Sequence, residues 1–445
     1  MTREGARRLW PFSNRSHSKP RTSLSEGLGG RNNALGIIRL TLASAVIFSH
    51  AFPLGGRGED PMLRWSQGRE NIGGIAVLGF FAISGYLITK SGANSDIMRY
   101  LWHRILRIFP AFWTVLLVGA LIVGPAIWML DGHSLADYAH TGSLSPVAYF
   151  TTNWNLTIGG YGIYDIFTTT TPYGKLVGSS IFNGSLWTLT YEWTCYLIVG
   201  MFVLCGALTR AKLLVPLLTA GFFALMIVHT VNPNRLGELS PYFADKYHIT
   251  LPLIFLCGAC LATYSKRVPL NDWIGASCGV IATITLFAGG FELLGYPALA
   301  YFVLWLAARL PARLRKVGAE NDYSYGIYVY GFLVEQVLAY FGVYKWGYLP
   351  YAVLTLLITV ACAWASWHGV EKRALALKDR GPGRGIRYWV ARVLRRKPGA
   401  GAKASTATAE AAASDTAASS PLAGSSVPSS TSTASAAIQP RPDRR

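Results

Sequence analysis

Residues 35–53 read LGIIRLTLASAVIFSHAFP, an unbroken apolar run holding only two ionisable side chains, Arg39 and His50. At a rise of about 1.5 Å per residue, such a run makes a helix close to the ~30 Å thickness of a bilayer core. Working outward, nine more runs share this character, near residues 72–90, 110–130, 186–206, 212–231, 249–265, 271–289, 291–309, 323–342 and 348–368. Between the seventh and eighth runs lie little more than Gly289 and Gly290, and the stretch 146–157 is apolar but short, as a re-entrant or interfacial piece would be. The pattern predicts an all-α, polytopic membrane helix bundle of about ten transmembrane helices, because only helices and closed barrels satisfy backbone polar groups in lipid.

Composition agrees. Of 445 residues, 51% are hydrophobic and 14% charged, and the mean hydropathy is +0.32. A soluble domain needs a denser charged coat. The net charge of +19 does not point to nucleic acid, since the basic residues sit in tails and short loops rather than along a soluble face. With the N-terminus inside, the segments 90–109, 207–212, 266–270, 309–322 and 369–380 carry 16 Lys and Arg, whereas 54–71, 131–185, 232–248 and 343–347 carry 7. The positive-inside rule then places both termini of a multi-pass membrane protein in the cytoplasm. Residues 1–34 are polar and basic without an early apolar core, so the first run is expected to act as an uncleaved anchor.

The chain divides into a basic cytoplasmic N-terminal tail (1–33), a membrane domain (34–380) and a cytoplasmic tail (381–445). In the last of these, Ile386–Lys397 alternates apolar and basic groups at helical spacing, as an amphipathic helix on a membrane surface would, and the segment from about residue 398 is rich in Ala, Ser, Thr and Pro, a disordered composition. The six cysteines lie within apolar runs. Cys257 and Cys260 form a lone C-x-x-C with no second pair, so no metal site is expected.

Ionisable groups inside lipid are costly and therefore point to function. Arg39 and His50 are 11 residues apart, about three helical turns, and share one face some 16 Å apart along the axis. A histidine suits proton transfer near neutral pH. As a general base, His50 would take the proton of a hydroxyl nucleophile, and Glu192, in SLWTLTYEWTCY (Ser185–Tyr196), is the carboxylate expected beside it. Bundle packing and capping are the plainer readings of these residues, and a snorkelling anchor is that of Arg39. In YLWHRILRIFPAFW (Tyr100–Trp113), Arg104 and Arg107 stand at i and i+3, a spacing that suits a phosphate clamp or a pair of interfacial anchors. Pro110 is expected to open the third span as a first-turn proline. Ser84, in GFFAISGYLI (Gly79–Ile88), lacks a nucleophile elbow and is read as a packing or ligand-contact residue. The segment 131–185 is rich in Thr, Gly, Tyr and Asn with one lysine, Lys175, a composition that suits either carbohydrate or an ordinary structured loop.

Together these motifs resemble the integral membrane acyltransferase family 3, which includes bacterial O-antigen and exopolysaccharide acetylases. Arg39 and His50 match its R-x10-H motif. Gly79–Ile88 is similar to its F-F-x-x-S-G element, Arg104–Pro110 to its R-x-x-R element, and Ser185–Glu192 to S-L-W-T-L-x-x-E. Asp322–Tyr328 (DYSYGIY) and Ser366–Lys378 (SWHGVEKRALALK) resemble its later segments. The resemblance covers about residues 34–380 in order. It implies an acyl-CoA donor, most often acetyl-CoA, a ten-span core, His50 as the catalytic histidine and Arg104 and Arg107 near the coenzyme phosphates, with Arg39 and Ser84 lining the donor's path. Gly331 and Leu333 stand where many members carry a His followed by a Pro. The function expected is a membrane-embedded O-acyltransferase acting on a carbohydrate or glycolipid, with the bilayer as its medium. A homo-oligomer is compatible with the sequence. The competing reading is a glycan-lipid transporter or flippase using the intramembrane His and Arg as a relay, which would bring internal repeats that this sequence lacks.

Overall fold

A computed structural model describes residues 22–30 and 32–393. Among them the chain is helical, with one isolated bridge, Ser23 to Pro269, and no strand. All ten apolar runs form helices. We number them α1 (Leu35–Leu54), α2 (Ile72–Gly92), α3 (Ile97–Leu130), α4 (Trp187–Leu204), α5 (Leu214–Val231), α6 (Tyr247–Thr263), α7 (Asp272–Ala288), α8 (Phe291–Arg309), α9 (Ser324–Tyr340) and α10 (Tyr348–Leu375). Six of these, α1, α2, α3, α5, α8 and α10, are long and apolar enough to cross a membrane. The others are shorter or more polar: α6 and α7 have 17 residues each, and α4 and α9, with 18 and 17, carry Glu192 and Glu335.

The third run corrects the sequence expectation. Pro110 does not open a helix. It lies inside α3, which starts 13 residues earlier, where the Asp96 carboxylate caps the amides of Met98 and Arg99. A proline removes one backbone hydrogen bond without reversing the chain, and the apolar face on both sides of Pro110 keeps the helix in the bundle. Arg104 and Arg107 therefore belong to a 34-residue helix rather than to a separate interfacial piece. The expected break between α7 and α8 does occur: Gly289 and Gly290 take φ of +110° and +82°, values that only glycine adopts freely.

The centre of the bundle is the crossing of α2 and α6. A Cβ on Gly85 would stand 2.0 Å from the Phe255 carbonyl oxygen, and one on Gly258 would stand 2.1 Å from that of Ala82. The two backbones touch because neither glycine has a side chain, as small residues allow between membrane helices. Around this crossing α1 packs on α2 and α9, α9 on α10, and α4 on α2, α3 and α6. At the end of the bundle where α1 begins, the short helix Leu24–Gly27 is tied to the α6–α7 connection by Leu24 N to Val268 O and Ser25 N to Ser265 O, both at 2.9 Å. At the opposite end, residues 131–185 fold over the helices with Ile163, Phe167 and Phe182 fully buried, and Pro146–Asn153 is a short helix within them.

The residues to Ile386 form one compact unit. In the second unit, Ile386–Val393 is an eight-residue helix, and the remainder of the expected amphipathic segment and the Ala/Ser/Thr/Pro-rich tail lie outside the described residues, as does most of the basic tail 1–33. Replacing Gly85 with valine should force α2 and α6 apart. We expect it to cost at least the ~1–3 kcal/mol of an overpacked core, read as a lower unfolding temperature and a diminished monodisperse peak in detergent.

Candidate active site

Arg39 sits one turn into α1, and its guanidinium Nη1 meets Asp322 Oδ2 at 2.5 Å. The same oxygen accepts from Arg107 Nη2 of α3 at 2.5 Å, and the Ser324 hydroxyl donates to Oδ1 at 2.6 Å. Burial opposes the charge on Asp322. The neighbouring guanidiniums of Arg107 and Arg39 outweigh it and hold the carboxyl well below the usual carboxylate range. Arg107 also approaches Glu371 Oε2 at 3.7 Å and packs over the Tyr325 ring. Glu371 comes within reach because the chain makes a π-helical turn at Trp367–Glu371 near the end of α10. Such turns commonly re-aim a side chain.

Of these groups, Arg39, Arg107, Asp322, Ser324 and Tyr325 border a cavity of about 310 Å³ lined by α1, α2, α3, α4, α9 and the end of α10. Arg39, Ser84, Arg104, Arg107, Glu192 and Lys378 all line it. The two arginines of α3 share a face, as their spacing predicts, but their circumstances differ. Arg107 is neutralised by Asp322 and Glu371. Arg104 makes no ion pair among the described residues, leaves its Nε without a hydrogen-bond partner and lies over the rings of Tyr100 and Tyr196. Close by, burial and then Arg104 and Arg107 push the Lys378 ammonium below its ordinary value. Arg104 and Lys378 thus hold donors toward the cavity that its own carboxylates do not use, an arrangement suited to an anionic ligand.

Glu192 is not the partner of His50. Its carboxylate accepts from Tyr196 at 2.5 Å and from Ser84 at 3.5 Å inside the cavity. Similar depth does not imply the same direction round the bundle: α4 packs on α2 and α3, while α1 faces α9 and α10. The carboxylate beside His50 is Glu335 of α9, with Oε2 3.8 Å from the imidazole Nδ1. The Glu335 side chain is wholly buried and neither carboxylate oxygen has a hydrogen-bond partner among the described residues. His50 keeps 28% of its side chain exposed and meets Phe332 edge to face at 5.4 Å. It does not line the cavity. Phe80 and Tyr328, rings 6.0 Å apart, line it, with the Tyr328 hydroxyl held by Thr188 and by the Ser185 carbonyl oxygen. Each end of the parallel helices α1 and α9 therefore carries a matched pair, Arg39 with Asp322 and His50 with Glu335.

The acyltransferase-domain family model matches residues 32–368, nearly the whole helical bundle. The chain belongs to this acyltransferase family. An O-acetyl transferase of Shigella phage Sf6 is 29% identical over 357 residues, which make up 78% of this chain and 96% of that protein. Nodulation protein 10 of Rhizobium leguminosarum bv. viciae is 30% identical over 379 residues, 80% of this chain and 96% of its own. No solved structure matches the acyltransferase.

In this acyltransferase, sequence reasoning gave no role to Asp322, Glu335, Glu371 or Lys378. Two of them had a signal in the sequence. A buried Arg39 demands a counter-charge, and Asp322 was already quoted within DYSYGIY. Glu335 is the one carboxylate in the apolar run 323–342, so the rule that singled out Glu192 applied to it equally. Glu371 and Lys378 depend on the turn at the end of α10, which no spacing announced. Asp322→Asn should leave two half-buried guanidiniums facing each other and cost about 1–3 kcal/mol. In that background Arg39→Gln should cost far less than it does alone, a coupling measurable by a double-mutant cycle of unfolding in detergent.

Proposed function

We propose that this acyltransferase is an O-acetyltransferase of the bacterial inner membrane, moving an acetyl group from cytoplasmic acetyl-CoA to a hydroxyl of an exported or cell-surface glycan. The observation that carries this reading is the pairing on α1 and α9: a cation-rich cavity at the Arg39 end and an imidazole with its own carboxylate at the other, one helix pair spanning both. The name of the phage O-acetyl transferase supports acyl transfer to oxygen.

The donor's phosphates would be held by Arg104 and Lys378, with Arg107 and Arg39 adding positive potential from their salt bridges. The pantetheine arm would follow the α2 wall past Ser84 and Glu192, and the thioester would pass the Phe80–Tyr328 constriction toward His50. Glu335 beside Nδ1 favours the tautomer that carries its proton there, leaving Nε2 as the base. At 3.8 Å the pair is looser than a hydrogen bond, as catalytic contacts often are before substrate binds. Nε2 takes the proton of the sugar hydroxyl, the oxygen attacks the thioester carbonyl carbon, and the carbon–sulfur bond breaks. The departing sulfur receives the proton from His50, so an acetyl ester and a free thiol result.

His50→Ala should abolish acetylation of the glycan while the protein still reaches the membrane. Glu335→Gln should lower kcat by about 10²-fold, within the usual range for general-base catalysis, with the KM for acetyl-CoA little altered. Arg104→Ala and Lys378→Ala should do the reverse, raising that KM by about tenfold or more, the worth of a charge-assisted hydrogen bond. Acetylation at the normal rate by His50→Ala would refute the assignment of the base. A KM for acetyl-CoA left unmoved by both cation variants would refute the assignment of the donor site.

A further inference from the structure

Beyond His50, away from the cavity, the aromatic residues do not scatter. The Phe332 ring that meets His50 is met in turn by Tyr173 at 5.8 Å, edge to face. Tyr173 lies on the short helix Pro172–Val177. Tyr161, earlier in the same segment, accepts through its carbonyl oxygen from the Phe182 amide, and the Leu156 carbonyl oxygen of that segment accepts from Thr190, the residue before Tyr191 of α4. The Tyr191 hydroxyl donates to the Asp245 carboxylate, which also stands 3.6 Å from His248 Nδ1. Tyr242 covers the His248 ring with centroids 3.9 Å apart, and Trp187 and Tyr247 extend the cluster at 4.5 Å. Tyr161 is 36% exposed and Tyr242 48%, and the Asp245 side chain is 41% exposed. Tyr161, Tyr242 and Asp245 are thus open to solvent, whereas Phe332 and Tyr191 are buried.

The segment that supplies Tyr161 and Tyr173 is firmly shaped. Three of the four non-glycine residues with positive φ among the described residues, Leu156, Tyr164 and Phe167, belong to it. Such conformations cost about 1–3 kcal/mol each and persist only where the surroundings enforce them. Asn153 binds the Gly160 carbonyl oxygen and the Gly159 amide, and Thr190 of α4 donates to the Leu156 carbonyl oxygen. This loop is held against α4, where its tyrosines continue the line of rings from His50.

Resting on the acetyl-transfer reading above, we propose that Tyr173, Tyr161, Tyr242 and Asp245 form an acceptor track for a glycan chain of several sugar units, with the buried Tyr191 holding the Asp245 carboxylate and with Asp245 and Tyr242 as a remote subsite away from His50. The chemistry is that of carbohydrate recognition. Ring faces stack on the apolar faces of sugars, and a half-exposed carboxylate flanked by a phenol and an imidazole accepts hydrogen bonds from vicinal hydroxyls. On this proposal a one-sugar acceptor at His50 reaches only the Tyr173–Phe332 end, and longer chains engage Asp245 and Tyr242. Asp245 also caps α6 through the Tyr247 amide at 2.9 Å, a local role that an asparagine would keep.

The test uses the full-length protein in detergent, radiolabelled acetyl-CoA, and the surface glycan of the cells that make the protein, stripped of esters by mild base and separated into pools of one, two, four and eight sugars. Wild-type kcat/KM should rise at least tenfold from the shortest pool to the longest. Asp245→Asn and Tyr242→Ala should each reduce that long-to-short ratio by about fivefold or more, with the KM for acetyl-CoA unmoved. A wild-type ratio near one, or a steep ratio that survives both variants, overturns the acceptor track and leaves the acetyl-transfer reading standing. Label entering none of the pools with wild-type protein overturns the acetyl-transfer reading itself, and the track with it.

Discussion

One oxygen of Asp322 accepts from both Arg39 and Arg107, and the arrangement of the functional residues depends on that contact. Two guanidiniums on different helices repel each other. In a medium where each charge is expensive to bury, they can approach only across a shared anion. The carboxylate thereby pins α1, α3 and the start of α9 to one another at one end of the bundle. Everything that lines the cavity is referred to this junction: Arg104 one turn before Arg107 on α3, Tyr325 and Tyr328 following Asp322 on α9, and Glu371 drawn in by the second nitrogen of Arg107.

The same junction sets what happens at the far end of α1. Since α1 and α9 run in the same direction from a fixed contact, the position of Glu335 relative to His50 is a matter of helical rise and little else. Gly331 lies between the two junctions, and a Cβ there would come 3.0 Å from Ile47. The close approach of the two helices at that level keeps the imidazole and the carboxylate within reach across the interface. The cation-rich cavity and the imidazole–carboxylate pair thus share one structural element, and neither can be repositioned without the other.

Charge is distributed unevenly within the cavity, and the unevenness is informative. Arg39, Arg107, Asp322 and Glu371 balance one another and read as architecture. Arg104 and Lys378 are left over, facing Glu192. Under the proposed function, the Arg104 guanidinium, over two tyrosine rings and without an ion pair among the described residues, is available to an incoming anion. Spacing alone had paired Arg104 with Arg107 as equals, and three-dimensional neighbours assign them different work.

Much of this molecule is legible in its sequence. Each apolar run became a helix because lipid leaves a backbone no other way to satisfy its amides, and the run lengths follow from the thickness of the bilayer. Arg39, His50 and Glu192 stand out because charge inside apolar runs is costly enough to need a purpose, Arg104 and Arg107 because of their i, i+3 spacing, and Ser84 as a small residue of an apolar helix, and five of the six line the cavity. Which carboxylate meets which base was not legible. Depth along a helix can be counted from sequence, whereas the direction a side chain faces round a bundle depends on which helices pack together. The crossing of glycines between α2 and α6, the continuity of α3 through Pro110 and the π-helical turn in α10 decided that His50 faces Glu335 and that Glu192 faces the cavity. Periodicity records the distance along one helix. The angle between helices is set by side chains from several distant segments at once.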